Sequence, residues 1–293
     1  MSADFTGTGV ALVTPFNNDK SVDFDALDRI VSHTLKGGVE FIVVLGTTGE
    51  PATMKKDEKK KVVASVIKSV NNRVPVVIGI GGNDTAEVIE TIHSSELDGI
   101  SAILSVSPYY NKPSQKGIYE HFSAIAKTSP LPLIIYNVPG RTSTNINAET
   151  TLKLANDHSN IIGVKEASGN FVQIMQILKD KPAHFRVISG DDALTLPMIY
   201  LGAKGVISVI ANSHPRQYSD MVRAALKGDS EKANTLHYRL LDYIGALFDE
   251  GSPTGVKAAL ELLGICTKTV RLPLVSASDG LKSKLDKMLK EIA

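Results

Sequence analysis

The sequence predicts an α/β protein, a (β/α)8 TIM barrel with a C-terminal helical appendage. Three observations point there. Short apolar runs recur eight times, each gap between them has room for one helix and two short loops, and after about residue 215 the strand pattern stops while helices continue. Alternating strand and helix implies βαβ units and a parallel sheet. Eight such units in roughly 220 residues match a closed barrel. A doubly wound open sheet would more often carry a Gly-rich phosphate loop after its first strand. Here Gly9 runs straight into Val10-Ala11-Leu12-Val13-Thr14-Pro15-Phe16.

The strand runs occupy 9–14, 40–45, 75–80, 101–106, 131–138, 161–165, 185–189 and 205–209. The helices between them have readable edges. Segment 22–36 is apolar at Phe24, Leu27, Ile30, Val31 and Leu35, a helical period, and ends at Gly37-Gly38. Segment 57–70 sets Val62, Val63, Val66 and Ile67 on one side, and 85–97 follows Asn83-Asp84, which are good N-cap types. Beyond the eighth run, 229–248 carries Leu236, Leu240, Leu241, Ile244, Leu247 and Phe248. Gly251-Ser252-Pro253-Thr254-Gly255 reads as a break, 256–263 as a helix ended by Gly264, and 278–292 as a further helix. Residues 1–225 are therefore assigned to the barrel and its site, and 226–293 to a helical region packed on it.

Composition narrows the function classes. The chain has 293 residues, 43% hydrophobic and 22% charged, near the average for globular proteins. A net charge of +1 implies no broad basic surface for nucleic acid. Cys266 is the single cysteine, so an intrachain disulfide is impossible; it reads as a small buried apolar residue. Met1-Ser2-Ala3-Asp4-Phe5 lacks the basic and apolar regions of a signal peptide, and no apolar run is long enough to cross a bilayer. A cytoplasmic protein without membrane partners is expected. His33, His93, His121, His158, His184, His214 and His237 are scattered, with no ligand pair at helical or hairpin spacing, so no metal is expected. With no dinucleotide fingerprint either, no cofactor is expected, and no serine sits in a G-x-S-x-G elbow.

In such a barrel the chemistry lies at the C-terminal ends of the strands. Those ends read Thr14-Pro15-Phe16, Gly46-Thr47-Thr48-Gly49-Glu50, Gly81-Gly82-Asn83, Ser107-Pro108-Tyr109-Tyr110-Asn111, Tyr136-Asn137 with Pro139-Gly140-Arg141-Thr142, Lys165, Gly190-Asp191-Asp192 and Ile207-Ser208. Lys165 closes the apolar run Ile161-Ile162-Gly163-Val164. Attack on a carbonyl needs a neutral amine, and an ordinary lysine is neutral only about one time in two thousand at pH 7. Burial can lower its pKa by about three units and make it a Schiff-base nucleophile. The same lysine could instead snorkel to water or pair with Glu166. The small, hydroxyl and aromatic groups on one rim favour the nucleophile.

The other rim residues each carry a functional and a plain interpretation. In Gly46-Thr47-Thr48-Gly49 the glycines permit a tight turn whose N–H groups can meet the carboxylate of a small keto acid, or simply connect strand to helix. Tyr136 lies in an apolar strand, where its phenol serves proton transfer or bonds a core carbonyl. Tyr109-Tyr110, flanked by proline, suggests a site or an interface, or a loop packed on its own rings. Arg141 offers a bidentate fork for a carboxylate, or an ordinary surface cation. Asp191-Asp192 reads as a helix cap.

Taken together, these motifs resemble the dihydrodipicolinate synthase family of pyruvate-dependent class I aldolases, over essentially the whole chain. The resemblance rests on Gly46-Thr47-Thr48-Gly49-Glu50, Pro108-Tyr109-Tyr110-Asn111-Lys112-Pro113, Tyr136-Asn137-Val138-Pro139-Gly140-Arg141-Thr142, Gly163-Val164-Lys165-Glu166 and Ser189-Gly190-Asp191-Asp192, in this order at strand ends. It implies condensation of pyruvate with L-aspartate 4-semialdehyde in lysine and diaminopimelate biosynthesis. Lys165 would condense with pyruvate. Tyr136, Thr47 and Tyr110 would relay protons, Tyr110 reaching into a neighbouring subunit's site. Thr47 and Thr48 would hold the pyruvate carboxylate, Arg141 that of the semialdehyde, and Gly190 and Ile207 would line the pocket through backbone groups. The family is usually a homotetramer, a dimer of dimers.

Two departures stand out: Pro51 where many members have serine, and Ser143 where glycine is common. Neither removes a reacting group. Many members are inhibited by lysine near an interface, a neighbourhood that here holds Pro51, Lys56, Lys59, Asn83, Glu87 and Tyr109. Regulated members often carry histidine in place of Lys56 and Lys59. Two fixed cations would repel a cationic effector, so lysine inhibition is expected to be weak or absent. Sister aldolases acting on sialic acid or keto-deoxy sugar acids share the lysine and the tyrosine. Arg141 favours a short substrate bearing a carboxylate. A barrel that only binds a keto acid is the non-catalytic alternative.

Overall fold

The computed structural model describes residues 4–292. Eight parallel strands close in chain order: β1 (Gly7–Ala11), β2 (Phe41–Val44), β3 (Val76–Gly79), β4 (Ala102–Val106), β5 (Leu133–Asn137), β6 (Ile161–Glu166), β7 (Arg186–Ser189) and β8 (Gly205–Ser208), with β8 paired back onto β1. Parallel neighbours need a crossover between them. The crossovers are α1 (Phe24–Lys36), α2 (Lys56–Val70), α3 (Thr85–Ser94), α4 (Gln115–Thr128), α5 (Pro139–Thr142) with α6 (Ala148–Asp157), α7 (Phe171–Asp180) and α8 (Thr195–Tyr200). After β8 come α9 (Pro215–Leu226), α10 (Ser230–Ala246), α11 (Thr254–Leu262) and α12 (Asp279–Ile292). Helix starts follow the capping residues: Asp23, Asp84, Ser114, Asn147, Asn170 and Asp229 each accept a first-turn backbone N–H. No helix among the described residues is long and apolar enough to cross a membrane.

The strands are buried on both sides, which explains their near-continuous apolar runs. Val10, Ile42, Val44, Ile78, Ile103, Ile135, Val164 and Val187 face the helices, while Ala11, Phe41, Val43, Val77, Leu104, Ile134, Tyr136, Ile188 and Ile207 fill the barrel. Phe5 closes one end against Phe41, ring centroids 5.4 Å apart and nearly perpendicular. Gly9 makes room for that plug, since a Cβ there would lie 2.1 Å from the Phe41 ring.

Seven of the eight expected strands coincide with β2–β8 to within two residues at either end. The first does not: it spans Gly7–Ala11 rather than 9–14. Its start lies earlier because Gly7 pairs with Gly205 so closely that a Cβ on Gly205 would sit 1.9 Å from the Gly7 carbonyl oxygen. Its end lies earlier because a side chain replaces the ladder. Asn212 Oδ1 accepts from Val13 N at 3.0 Å and Asn212 Nδ2 donates to Ala11 O at 2.8 Å. The expected break at 251–255 also needs correcting, because α11 already begins at Thr254. Gly255 serves packing, not a turn: a Cβ there would lie 2.2 Å from the Leu247 carbonyl oxygen.

One irregularity positions the site. The pairing of β5 with β6 shifts between Leu133 and Ile134, so that Leu133 faces Ile161 but Ile134 faces Gly163. Ile162 packs inward, and Gly163 stands in register with inward Ile134. Two consecutive residues on one side are a β-bulge. A one-residue slip turns every later side chain to the other face. Beyond the bulge Val164 therefore faces the helices and Lys165 faces the barrel, in register with Tyr136 and Ile188.

Candidate active site

Lys165 is 6% exposed, and its Nζ stands 4.3 Å from the centroid of the Tyr136 ring. Burial disfavours the ammonium and pulls the Lys165 pKa down to about 8; nearby Asp192 opposes that and Arg141 reinforces it. The Tyr136 phenol is pushed up to about 12, first by burial, with Arg141 opposing and Asp191 adding. At neutral pH the phenol keeps its proton, so Tyr136 can donate to a developing charge, while a useful fraction of Lys165 is free amine. Arg141 lies on α5, exposed, with its charge felt by both groups.

Pairing of Lys165 with Glu166 is ruled out by strand geometry. Adjacent residues point to opposite faces, and Glu166 is bonded on the helix side. Its carboxylate accepts from Asn137 Nδ2 (3.2 and 3.1 Å), Gln173 Nε2 (3.2 Å) and Ser168 N (2.7 Å). Asn137 also receives Ile146 N on Oδ1 at 2.9 Å. This network fixes the ends of β5 and β6 beneath the lysine and the tyrosine.

Gly190 supplies the space for the Lys165 stem. A Cβ at 190 would lie 2.8 Å from Ala167 Cβ, 2.9 Å from Lys165 Cε and 3.1 Å from Lys165 Cγ. Ile207 on β8 is 1% exposed and belongs to the interior layer with Tyr136. Gly46-Thr47-Thr48-Gly49 forms a 3-10 turn over Thr47–Gly49 at the same end of the barrel. Gly49 N and Glu50 N bond back to Gly46 O (2.8 Å) and Thr47 O (3.2 Å), whereas the amides of Thr47 and Thr48 have no acceptor among the described residues. Thr47 is exposed and Thr48 buried. Two unspent amides beside two hydroxyls suit an anion.

The Asp191-Asp192 expectation of a helix cap is corrected, since α8 has Leu194 as its N-cap with no side-chain bond and Asp191 serves only the turn before it. Asp191 Oδ1 does accept from Ala193 N (2.9 Å) and Leu194 N (3.2 Å), at the turn that leads into α8. Asp192 is no cap. It is buried, and its Oδ2 accepts from Val209 N and Ile210 N, both at 2.9 Å, pinning the exit of β8. Burial pushes its carboxyl above the usual range. An acidic pair before a helix looks like a cap in sequence, and nothing local marks its second member as buried.

Tyr110, 87% exposed with φ +76°, stands out from the loop after β4, and Tyr109 is 41% exposed. Asn83 Nδ2 donates to Tyr109 O at 3.3 Å, which joins two of the residues expected at an effector site. Pro51 follows the Thr47–Gly49 turn, Lys56 and Lys59 lie in the opening turns of α2 and Glu87 in the first turn of α3, all at or near the surface.

A model of the Dihydrodipicolinate synthetase family matches residues 4–292. The 4-hydroxy-tetrahydrodipicolinate synthase of Flavobacterium psychrophilum is 52% identical over 289 residues, covering 99% of both chains. That of Parabacteroides distasonis is 48% identical over 287 residues, 98% of this chain and 97% of its own. The crystal structure of dihydrodipicolinate synthase from Aquifex aeolicus superposes with a TM-score of 0.94 at 43% identity, covering 98% of each chain.

Proposed function

The chain belongs to the dihydrodipicolinate synthetase family, and we infer from that premise the roles of its residues in condensing pyruvate with L-aspartate 4-semialdehyde. The reaction is that of a class I aldolase-type lyase, yielding 4-hydroxy-tetrahydrodipicolinate for lysine and diaminopimelate biosynthesis. One observation carries the assignment of the nucleophile: a lysine amine buried inside the barrel, with its pKa near 8, against a phenol.

In this reading the Lys165 amine attacks the ketone carbon of pyruvate, and the carbinolamine loses water to give the Schiff base. Tyr136 donates the proton that the departing hydroxyl needs. The amides and hydroxyls of Thr47 and Thr48 hold the pyruvate carboxylate. Loss of a methyl proton gives an enamine, whose carbon attacks the aldehyde and forms the new carbon–carbon bond. The amino group of the second substrate then replaces Lys165 at the former ketone carbon, closing the ring and freeing the lysine. Arg141, exposed at the rim, meets the semialdehyde carboxylate. Gly190 and Ile207 shape the pocket wall.

Tyr110 completes the relay from a neighbouring subunit, which accords with its exposure and its place on an outlying loop. That role makes the functional unit at least a dimer, and a homotetramer in which dimers pair is the assembly we assign. The protein acts in the cytoplasm.

Borohydride reduction in the presence of pyruvate, followed by peptide mass mapping, tests this assignment. A single adduct on Lys165 is expected. An unmodified Lys165, or an adduct on another lysine, would refute it.

A further inference from the structure

We propose that Glu50, Lys257 and Arg271 are positioning residues for the turn that receives the substrate carboxylate, so that the C-terminal helices support the active site from outside the barrel. The proposal rests on the role given above to Thr47 and Thr48.

Glu50 ends the Thr47–Gly49 turn in a left-handed conformation (φ 55°, ψ 39°). A residue with a side chain enters that region only when its surroundings hold it there. Here they hold both its backbone and its carboxylate. Glu50 N donates to Thr47 O at 3.2 Å, and Thr53 N donates to Glu50 O at 3.1 Å. The carboxylate is buried, with Oε1 accepting from Lys257 Nζ at 2.6 Å and Oε2 from Arg271 N at 2.9 Å. Both partners come from the far end of the chain.

Lys257 lies on α11 and is wholly buried. It donates again to Thr269 O at 2.9 Å and stands 4.1 Å from the Phe16 ring centroid. Arg271 places its guanidinium 4.3 Å from the same ring centroid. It donates to both oxygens of Glu58 on α2 (3.0 and 2.6 Å), to Thr53 O (3.0 Å) and to Lys20 O (3.0 and 2.6 Å). Thr267 Oγ1 donates to Phe16 O at 2.7 Å. The strap from 257 to 271 is thus bonded to the exit of β1, the exit of β2 and the start of α2. Two residues before Glu50 stands Thr48, to whose amide and hydroxyl the pyruvate carboxylate is assigned above. A buried ion pair is a poor way to gain stability, because an apolar pair of similar volume does as well. It does define one orientation for the groups it joins, and here those groups end the carboxylate turn.

The test uses the full-length enzyme. In the double variant E50Q/K257M neither charge is left buried alone, so the ion pair is removed at the smallest cost to folding, with the Thr269 carbonyl losing one donor and the Arg271 amide keeping an acceptor. The Lys165 adduct at saturating pyruvate is expected to remain. KM for pyruvate is expected to rise about tenfold or more, with kcat within about threefold and KM for aspartate semialdehyde unchanged, the pattern of lost uniform binding at one subsite. Arg271→Met, which cuts the partly exposed ties, should raise KM for pyruvate about threefold. If the folded double variant keeps the parental KM for pyruvate, the proposal is overturned. Should the double variant fail to fold, an unchanged KM in Arg271→Met overturns it equally. The two inferences separate cleanly: absence of a Lys165 adduct in the parent enzyme, or a parental pyruvate KM in Thr48→Val, defeats the reading of the site, whereas a normal adduct with an unmoved KM in the strap variants defeats this proposal alone.

Discussion

Two lysines are buried among the described residues, and they share more than depth. Lys165 holds its nitrogen 4.3 Å from the Tyr136 ring centroid and Lys257 holds its own 4.1 Å from that of Phe16. The remaining neighbours separate them. Lys257 donates to the Glu50 carboxylate at 2.6 Å and to the Thr269 carbonyl at 2.9 Å. Near Lys165, Glu166 is turned to the helix side, and Asp192 gives Oδ2 to two amides at the exit of β8. Burial disfavours the ammonium at both places, but at Lys257 the contact with Glu50 opposes it at hydrogen-bond distance. Lys257, bonded to a carboxylate, is held as a strut, whereas Lys165, without a bonded counterion, suits the nucleophilic role proposed for it.

The sharpest way to break this comparison is to remove each amine. Lys165→Met should lower kcat/KM by at least about 10⁴-fold, since the proposed mechanism has no other group to form the covalent intermediate. Lys257→Met should instead cost about 3–5 kcal/mol of stability, because the Glu50 charge is left buried without its partner. The variant should still form the Lys165 adduct wherever it is folded. The two changes should also move stability in opposite directions. The folded-state pKa of Lys165, about 8, lies below its ordinary 10.5, so the unfolded chain binds more protons between those values. The resulting penalty is fully present below pH 8 and is relieved as the pH rises toward 10.5. Lys165→Met should therefore stabilise the protein by about 3 kcal/mol at pH 7, and the gain should fade through that window. Denaturant unfolding at several pH values checks both signs; a loss of stability in Lys165→Met at pH 7 would break the comparison.

How much of this was legible beforehand follows from how local each feature is. Strands buried on both faces announce themselves as apolar runs, so β2–β8 were readable, and the rim residues followed from their ends. The bulge at Ile162-Gly163 was not, because pairing register is a property of two strands. It decides that Lys165, not Glu166, faces inward. Asn212 replacing the ladder of β1 was equally hidden, a contact across 199 residues. The Lys257–Glu50 pair spans 207 residues, and Glu50 in sequence is only the last letter of a recognisable motif. The second carboxylate of Asp191-Asp192 was misread for the same reason, since its partners lie 17 and 18 residues away.

A smaller effect sharpens the nucleophile's side of the comparison. Gly190→Ala would set a Cβ 2.9 Å from Lys165 Cε, with Ala167 blocking the alternative at 2.8 Å. The stem must shift, and a displacement of that order costs about 10²-fold in rate. Schiff-base formation in rapid-quench trapping should slow accordingly, and overpacking against Ala167 should cost about 1–3 kcal/mol of stability; an unchanged rate would show that the stem is not constrained there. The smallest effect is expected from lysine itself. With Lys56 and Lys59 as fixed cations in the opening turns of α2, submillimolar lysine should leave turnover essentially unchanged, and half-inhibition in that range would reject the electrostatic account.

The most direct test of the difference between the two lysines is the pH dependence of adduct formation. The rate of borohydride-trapped pyruvate attachment to Lys165, measured at subsaturating pyruvate from pH 6 to 10.5, reports the fraction of free amine. It should rise roughly tenfold per pH unit and level off near pH 8, where burial places the Lys165 pKa. A rate still climbing at pH 10 would mean an ordinary, solvated lysine and would contradict the account.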